Sequence, residues 1–286
     1  MIEKLTGNEL KRIFNETGFG FSKSLGQNFL CDERILNMIA DDANISENQT
    51  VLEIGTGAGT LTRVLSKRAK RVVSVEVDKS LLPVHKQTLD GFDNIEVVNA
   101  DFLSLDIKKF YEEKLEEDFA LCANLPYYIT TPIIMSILES GIKFRSLTVL
   151  VQKEVAQRMA AKENTPEYGA LTCAVQFYTK THLCSKIPAS CFYPAPKVAS
   201  QVIRLERLEE PLVNVQSEEM FFKLVKSAFA MRRKTLANNL IASFNIDRPT
   251  AENIITESGF SSTIRGEALS IKNLAIIADK LYNILQ

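Results

Sequence analysis

Apolar residues recur along this chain with two different periods, and the switch between them marks its elements. Residues 50–54, 71–77, 94–98, 118–123 and 147–151 are short, nearly continuous apolar runs that read as buried strands, and 170–179 and 200–205 bring the expected strands to seven. Between them the spacing turns helical. Residues 8–17 form an amphipathic stretch stopped by Gly18. Asp32 stands where it can cap a helix whose buried face is Ile35, Leu36, Met38 and Ile39. Residues 61–65 and 133–138 are helical as well, so strands alternate with helices, the order that builds a parallel sheet. After Glu209-Glu210-Pro211 only helical spacing remains. Ser217 caps a helix with Phe221, Leu224, Val225, Ala228 and Phe229 on one side, Pro249 opens another that Gly259 closes, and 270–285 forms the last. The pattern predicts an α/β domain over 1–208 and a small all-α domain over 209–286.

Composition changes this picture in three places. The 286 residues carry a net charge of −1, so no global field draws a polyanion, and any nucleic-acid partner has to be held by a local patch. One exists: between 221 and 240 lie Lys223, Lys226, Arg232, Arg233 and Lys234 and no acid. Five scattered cysteines without a CxxC pair read as reduced core residues, and two distant histidines, His85 and His182, do not make a metal site, so no metal is expected. Residues 1–15 mix acids and bases unlike a targeting peptide, and no apolar run reaches the roughly 18 residues of a membrane span, so a soluble, cytoplasmic protein is expected.

The candidate chemistry lies at the strand ends, where open parallel sheets bind ligands. Gly55, Gly57 and Gly59 sit between the first strand of the sheet and its helix, a turn that lets a ligand approach the backbone closely. Their Gly-x-Gly-x-Gly spacing differs from the dinucleotide fingerprint. Glu76 ends the second strand and can accept two ribose hydroxyls, and Asp101 follows the third and can accept from an adenine amine. Asn124-Leu125-Pro126-Tyr127 ends the fourth. Pro126 disfavours the helical region for Leu125 and turns its carbonyl outward, Asn124 adds a second acceptor, and Tyr127 offers a ring for an unstacked base. Two acceptors on one exocyclic amine would localise its lone pair. The plainer reading, a strand end with a half-buried tyrosine, stands beside it. Residues 23–30 form a polar segment ending on Phe29 and Leu30, either a lid that docks by its apolar end or a simple connector.

Residues 53–59 with Glu76 and Asp101 resemble the class I methyltransferases that use S-adenosylmethionine. Gly26-Gln27-Asn28-Phe29-Leu30 with Asn124-Leu125-Pro126-Tyr127, Phe192-Tyr193-Pro194-Ala195-Pro196-Lys197-Val198 and residues 229–236 narrow the resemblance to the ribosomal RNA adenine dimethyltransferases that act on two adjacent adenosines near the end of small-subunit RNA. The resemblance implies a Rossmann-like class I sheet whose last two strands are hairpin-related. It also implies S-adenosylmethionine as cofactor, and small-subunit ribosomal RNA or an immature small subunit as partner of a monomer. It places Asn28, Leu30, Gly55, Gly57, Glu76, Asp101 and Asn124 on the cofactor, and gives Asn124, Leu125, Tyr127 and Phe192 to the target base, with Tyr127 and Phe192 stacking on its two sides. From the residues alone, Phe192 reads as a core phenylalanine, and Lys153 and Arg158 as solvated helix charges. The related large-subunit enzymes of macrolide resistance more often carry other residues at Leu125 and Gly26. A binding protein of the same fold, such as a ribosome-assembly checkpoint, is the remaining alternative.

Overall fold

A computed structural model describes residues 5–22 and 25–285. Its elements in chain order are α1 (Gly7–Thr17), β1 (Phe29–Leu30), α2 (Glu33–Ala43), β2 (Thr50–Ile54), α3 (Thr60–Ser66), β3 (Arg71–Glu76), α4 (Leu82–Thr88), β4 (Ile95–Asn99), α5 (Ile107–Lys114), β5 (Ala120–Asn124), α6 (Thr130–Glu139), β6 (Ser146–Gln152), α7 (Lys153–Met159), α8 (Ala170–Tyr178), β7 (Thr179–Ile187), β8 (Phe192–Tyr193), β9 (Ser200–Arg207), α9 (Glu218–Ala228), α10 (Leu236–Phe244), α11 (Arg248–Glu257) and α12 (Ile271–Leu285). Two compact units result, one of residues 1–156 with 182–207, the other of 157–181 with 208–286. The expected boundary at 208/209 lies one residue from the last of three crossings, at 207/208, and the other two arise because 157–181 packs with the helical unit.

The first unit is built on a seven-stranded sheet in the order β4-β3-β2-β5-β6-β9-β7. β2 pairs in parallel with β3 and β5, β3 with β4 and β5 with β6, whereas β6 pairs antiparallel with β9. Every residue of β2 is buried, as a central parallel strand covered on both faces requires. The strand order reverses between β2 and β5, and ligands bind beyond the carboxyl ends of strands at such a switch point. The glycine loop follows one of these strands and Asn124 ends the other.

The segment that differs from expectation is 170–179. Its β-branched and aromatic content reads as a strand, yet it folds as α8. Its buried residues, Thr172, Cys173, Val175 and Phe177, lie within two helical turns, and the Gly169 N–H is taken by the Thr172 hydroxyl at 3.1 Å. Tertiary packing overrides propensity here: Phe177 and Cys173 join Phe221, Leu224, Leu240 and Leu274 in the core of the helical unit. The strand that completes the sheet is β7, whose mostly polar residues suit an edge strand exposed along much of its length.

Helix ends follow the sequence closely. Thr6, Asp32, Ser217, Thr235 and Asp247 each accept a backbone N–H in the first turn of their helices. Gly18 closes α1 at φ +69°. Among the described residues no helix is long and apolar enough to cross a membrane, and no group of three His, Cys, Asp or Glu residues is placed to hold a metal ion.

Candidate functional site

A cleft opens at the carboxyl ends of β2, β3, β4 and β5. The structure brings Asn28, Leu30, Gly55, Gly57, Glu76, Asp101, Asn124, Leu125 and Tyr127 to its walls. They arrive there from separate elements, because each strand of the sheet delivers its own last residues.

Gly55, Gly57 and Gly59 all take positive φ, at 84°, 54° and 80°, which only glycine adopts readily. At Gly57 the requirement is steric as well, since a Cβ there would lie 3.2 Å from the Phe29 ring. Glu76 is buried at the tip of β3. One of its oxygens accepts the Gly57 N–H at 2.8 Å and the other the Asp78 N–H at 2.9 Å, and burial raises its pKa. Asp101 is exposed at the cleft wall, where its carboxylate accepts from the Leu103 N–H at 3.0 Å and the Ser104 hydroxyl at 3.2 Å. Lone pairs remain on both carboxylates. A ligand carrying vicinal hydroxyls and an amino group suits this pair of acceptors beside the glycine loop.

Asn124 ends β5, and its Nδ2 donates to the Asn28 carbonyl at 3.2 Å. The bond ties the strand tip to the segment before β1. It also restrains the amide's rotation and leaves Oδ1 as an acceptor. Leu125 is buried, and Tyr127 is half-buried with its hydroxyl 2.6 Å from Ser200 Oγ, so the ring is tethered at its far end.

Phe29 and Leu30 are buried, as a docked lid end requires, and they form a two-stranded ribbon with β8 in the register Phe29 to Tyr193 and Leu30 to Phe192. Gln27 reinforces it by donating to Asp78 at 2.6 Å and accepting the Ser22 N–H at 2.8 Å. Lys23 and Ser24, also expected in this segment, lie outside the described residues. Phe192 is not brought to the cleft wall. It is 5% exposed and packs with Leu30, Leu36, Cys122, Ile187 and Val202, the core position its residue type alone suggests.

Sequence reasoning gave no individual role to two residues here. Glu53, on β2, is 1% exposed and lines the cleft, with its Oε2 accepting from the hydroxyls of Thr62 at 2.6 Å and Ser74 at 2.7 Å. Burial pushes its pKa up to about 8, so the carboxyl is mainly neutral at pH 7. An acid inside the run Val51-Leu52-Glu53-Ile54 was the available signal. Tyr128, 56% exposed, stands at the cleft beside Gly26, and nothing in the sequence sets it apart from Tyr127.

In the helical unit, Arg232 pairs with Glu267 at 3.5 Å and donates to the Pro166 carbonyl at 2.7 Å, and Lys223 lies 4.8 Å from the centre of the Phe244 ring. Lys226, Arg233 and Lys234 are exposed.

Residues 18–273 match the family model described as ribosomal RNA adenine dimethylase. The chain is 46% identical over 273 residues to the ribosomal RNA small subunit methyltransferase A of Alkaliphilus oremlandii, covering 95% of both proteins. It is 47% identical to the protein of that name from Clostridium botulinum strain Loch Maree, over 96% of this chain and 99% of that one. Among solved structures, a dimethyladenosine transferase from Plasmodium falciparum superposes with a TM-score of 0.71 at 26% identity, covering 87% of this chain and 95% of that one. The 23S rRNA methyltransferase ErmE superposes at 0.67 with 29% identity, covering 89% and 100%.

Proposed function

Since the chain belongs to the ribosomal RNA adenine dimethylase family and is an rRNA adenine dimethyltransferase, we propose that its cleft binds S-adenosylmethionine and that it dimethylates the N6 amines of two adjacent adenosines near the 3′ end of small-subunit ribosomal RNA. The cleft fits the cofactor: Glu76 supplies a buried acceptor for a ribose, Asp101 one for an adenine amine, Gly55 and Gly57 a close backbone approach, and Asn28 and Leu30 a cover. When bound, S-adenosylmethionine supplies a sulfonium methyl already activated for displacement.

What remains for the protein is positioning. The observation that carries the reading is the Asn124 amide at the cleft wall, anchored through Nδ2 to the Asn28 carbonyl so that Oδ1 keeps its acceptor capacity. Oδ1 and the Leu125 carbonyl take the two N6 hydrogens of the target adenine, which localises the nitrogen lone pair for attack. Tyr127, held through its hydroxyl, stacks on the base. Stacking by Phe192 on the other side requires its ring to leave the core it occupies beside Leu30. After transfer the surplus proton passes to solvent, and the site must admit one methyl group beside the attacking nitrogen for the second round. Lys226, Arg233 and Lys234 supply phosphate contacts in the helical unit. We take the enzyme to act as a monomer on ribosomal particles in the cytoplasm.

The test is transfer of labelled methyl from S-adenosylmethionine to purified small ribosomal subunits that lack the modification, followed by nucleoside analysis. Dimethyladenosine at two moles per particle is expected, and Asn124→Ala should lower the rate by about 10²-fold or more. Label on large-subunit RNA instead would move the substrate assignment to the resistance enzymes. Binding of small subunits without transfer would favour an assembly factor.

A further inference from the structure

Three glycines at positive φ within five residues give the loop between β2 and α3 little conformational preference of its own, so outside contacts have to set its shape. Its ends are held by backbone: Gly55 N–H donates to the Val75 carbonyl at 2.8 Å, and Gly59 N–H to Thr56 at 2.9 Å. Its tip is held by side chains. Glu76 accepts the Gly57 N–H at 2.8 Å, and on the other side of the same Cα the ring of His85 lies with Nε2 2.8 Å from the Gly57 carbonyl oxygen.

A carbonyl oxygen only accepts, so Nε2 carries the proton and Nδ1 keeps its lone pair. Nδ1 is buried and has no hydrogen-bond partner among the described residues. The His85 pKa is lowered, chiefly by burial, which keeps the ring neutral and in this tautomer. An unpaired buried acceptor is unfavourable, and the packing beside it is apolar, where Leu81, just before α4, and Val84, on it, cluster with Phe14 and Ala58. A leucine or methionine would fill such a position without that cost. The one thing the imidazole does there that they cannot is donate to Gly57. Because C=O and N–H of a trans peptide point opposite ways, pinning this carbonyl toward α4 aims the Ala58 N–H away from α4, and Ala58 is at the cleft wall.

We propose that His85 is a positioning residue for the cofactor: with Glu76 it clamps Gly57 from both sides and holds the glycine loop in the shape that receives S-adenosylmethionine. The inference rests on the cofactor reading above. It is tested on the full-length protein by calorimetric titration with S-adenosylmethionine and by steady-state kinetics on small subunits, for wild type, two non-donating variants, His85→Leu and His85→Met, and the donor-retaining His85→Gln. The expected result is a Kd about 3- to 10-fold weaker in both non-donors, the effect of one lost hydrogen bond, and within about 2-fold of wild type in His85→Gln. The KM for subunits and kcat at saturating cofactor should be unchanged, a split that general damage to the fold would not give. Equal affinity in wild type and the non-donors overturns the inference alone, as does a His85→Gln variant as weak as His85→Leu. A wild-type protein that binds no S-adenosylmethionine overturns the cofactor reading and this inference with it.

Discussion

Glu53 gives the sharpest test of the electrostatics at this site. Its carboxyl is buried on the central strand, and Thr62 and Ser74 both donate to Oε2. The Thr56 and Ser74 hydroxyls are 2.6 Å apart, and with the Ser74 proton spent on Glu53, Thr56 must donate to Ser74. With Oε2 accepting twice, the carboxyl proton belongs on Oε1, so glutamine mimics the neutral acid: a carbonyl where Oε2 accepts and an amide N–H in place of the Oε1–H. Glu53→Gln therefore removes the titration while keeping the hydrogen-bonding pattern.

The sign follows from the raised pKa. Between the ordinary carboxylate value of 4.5 and the folded value of about 8, the folded protein holds one more proton at this site than the unfolded chain. Stability contributed by the neutral carboxyl is fully present below pH 4.5 and is lost as pH rises through 8. Each pH unit in that window costs the wild type about 1.4 kcal/mol relative to the variant, accumulating to about 5 kcal/mol at the alkaline end. Urea unfolding followed by circular dichroism, without cofactor and at half-unit steps from pH 4.5 to 9, measures it, because the other titrating groups cancel between the two proteins. The stability of Glu53→Gln relative to wild type should climb through the window and level off above pH 8. A difference that stays constant across the range would refute a neutral Glu53.

Tyr127→Phe removes the bond to Ser200 but keeps the ring, so kcat should fall by only about 10-fold or less, whereas Tyr127→Ala removes the stacking face and should raise the KM for subunits by about 10-fold or more; equal effects would count against stacking. Arg233→Ala with Lys234→Ala should weaken RNA binding and reduce the slope of log K against log salt by about 1 to 2. Arg232→Ala should instead lower the melting temperature of the helical unit, through its bonds to Glu267 and Pro166. Gly266→Ala places a methyl group on the Ala228 carbonyl, overlapping its oxygen and 2.9 Å from its carbon, and should destabilise that unit by about 3 kcal/mol, read as a lower urea midpoint.

The parts of this molecule that were legible in its sequence are those set by one local rule. β2 is a buried central strand, and its apolar run announces it to the residue. The stop of α1 at Gly18 and the caps of α2 at Asp32 and α9 at Ser217 are written in the chain, and the acids at strand tips fall at the cleft because a parallel sheet delivers all its carboxyl ends to one edge. Where tertiary context decides, local reading fails. The 170–179 segment has the composition of a strand and becomes α8 because the helical unit needs Phe177 and Cys173 on one face of a helix. The same limit governs the glycine loop. Its spacing marks a turn that lets a ligand approach the backbone closely, but the side chains that hold its tip are Glu76 on β3 and His85 on α4, 19 and 28 residues away in the chain. A loop rich in glycine carries almost no structural information of its own. If the cleft takes the proposed cofactor, the shape it meets is set partly from behind the loop, and substitution of His85, which does not line the cleft, should weaken cofactor binding without removing a direct contact.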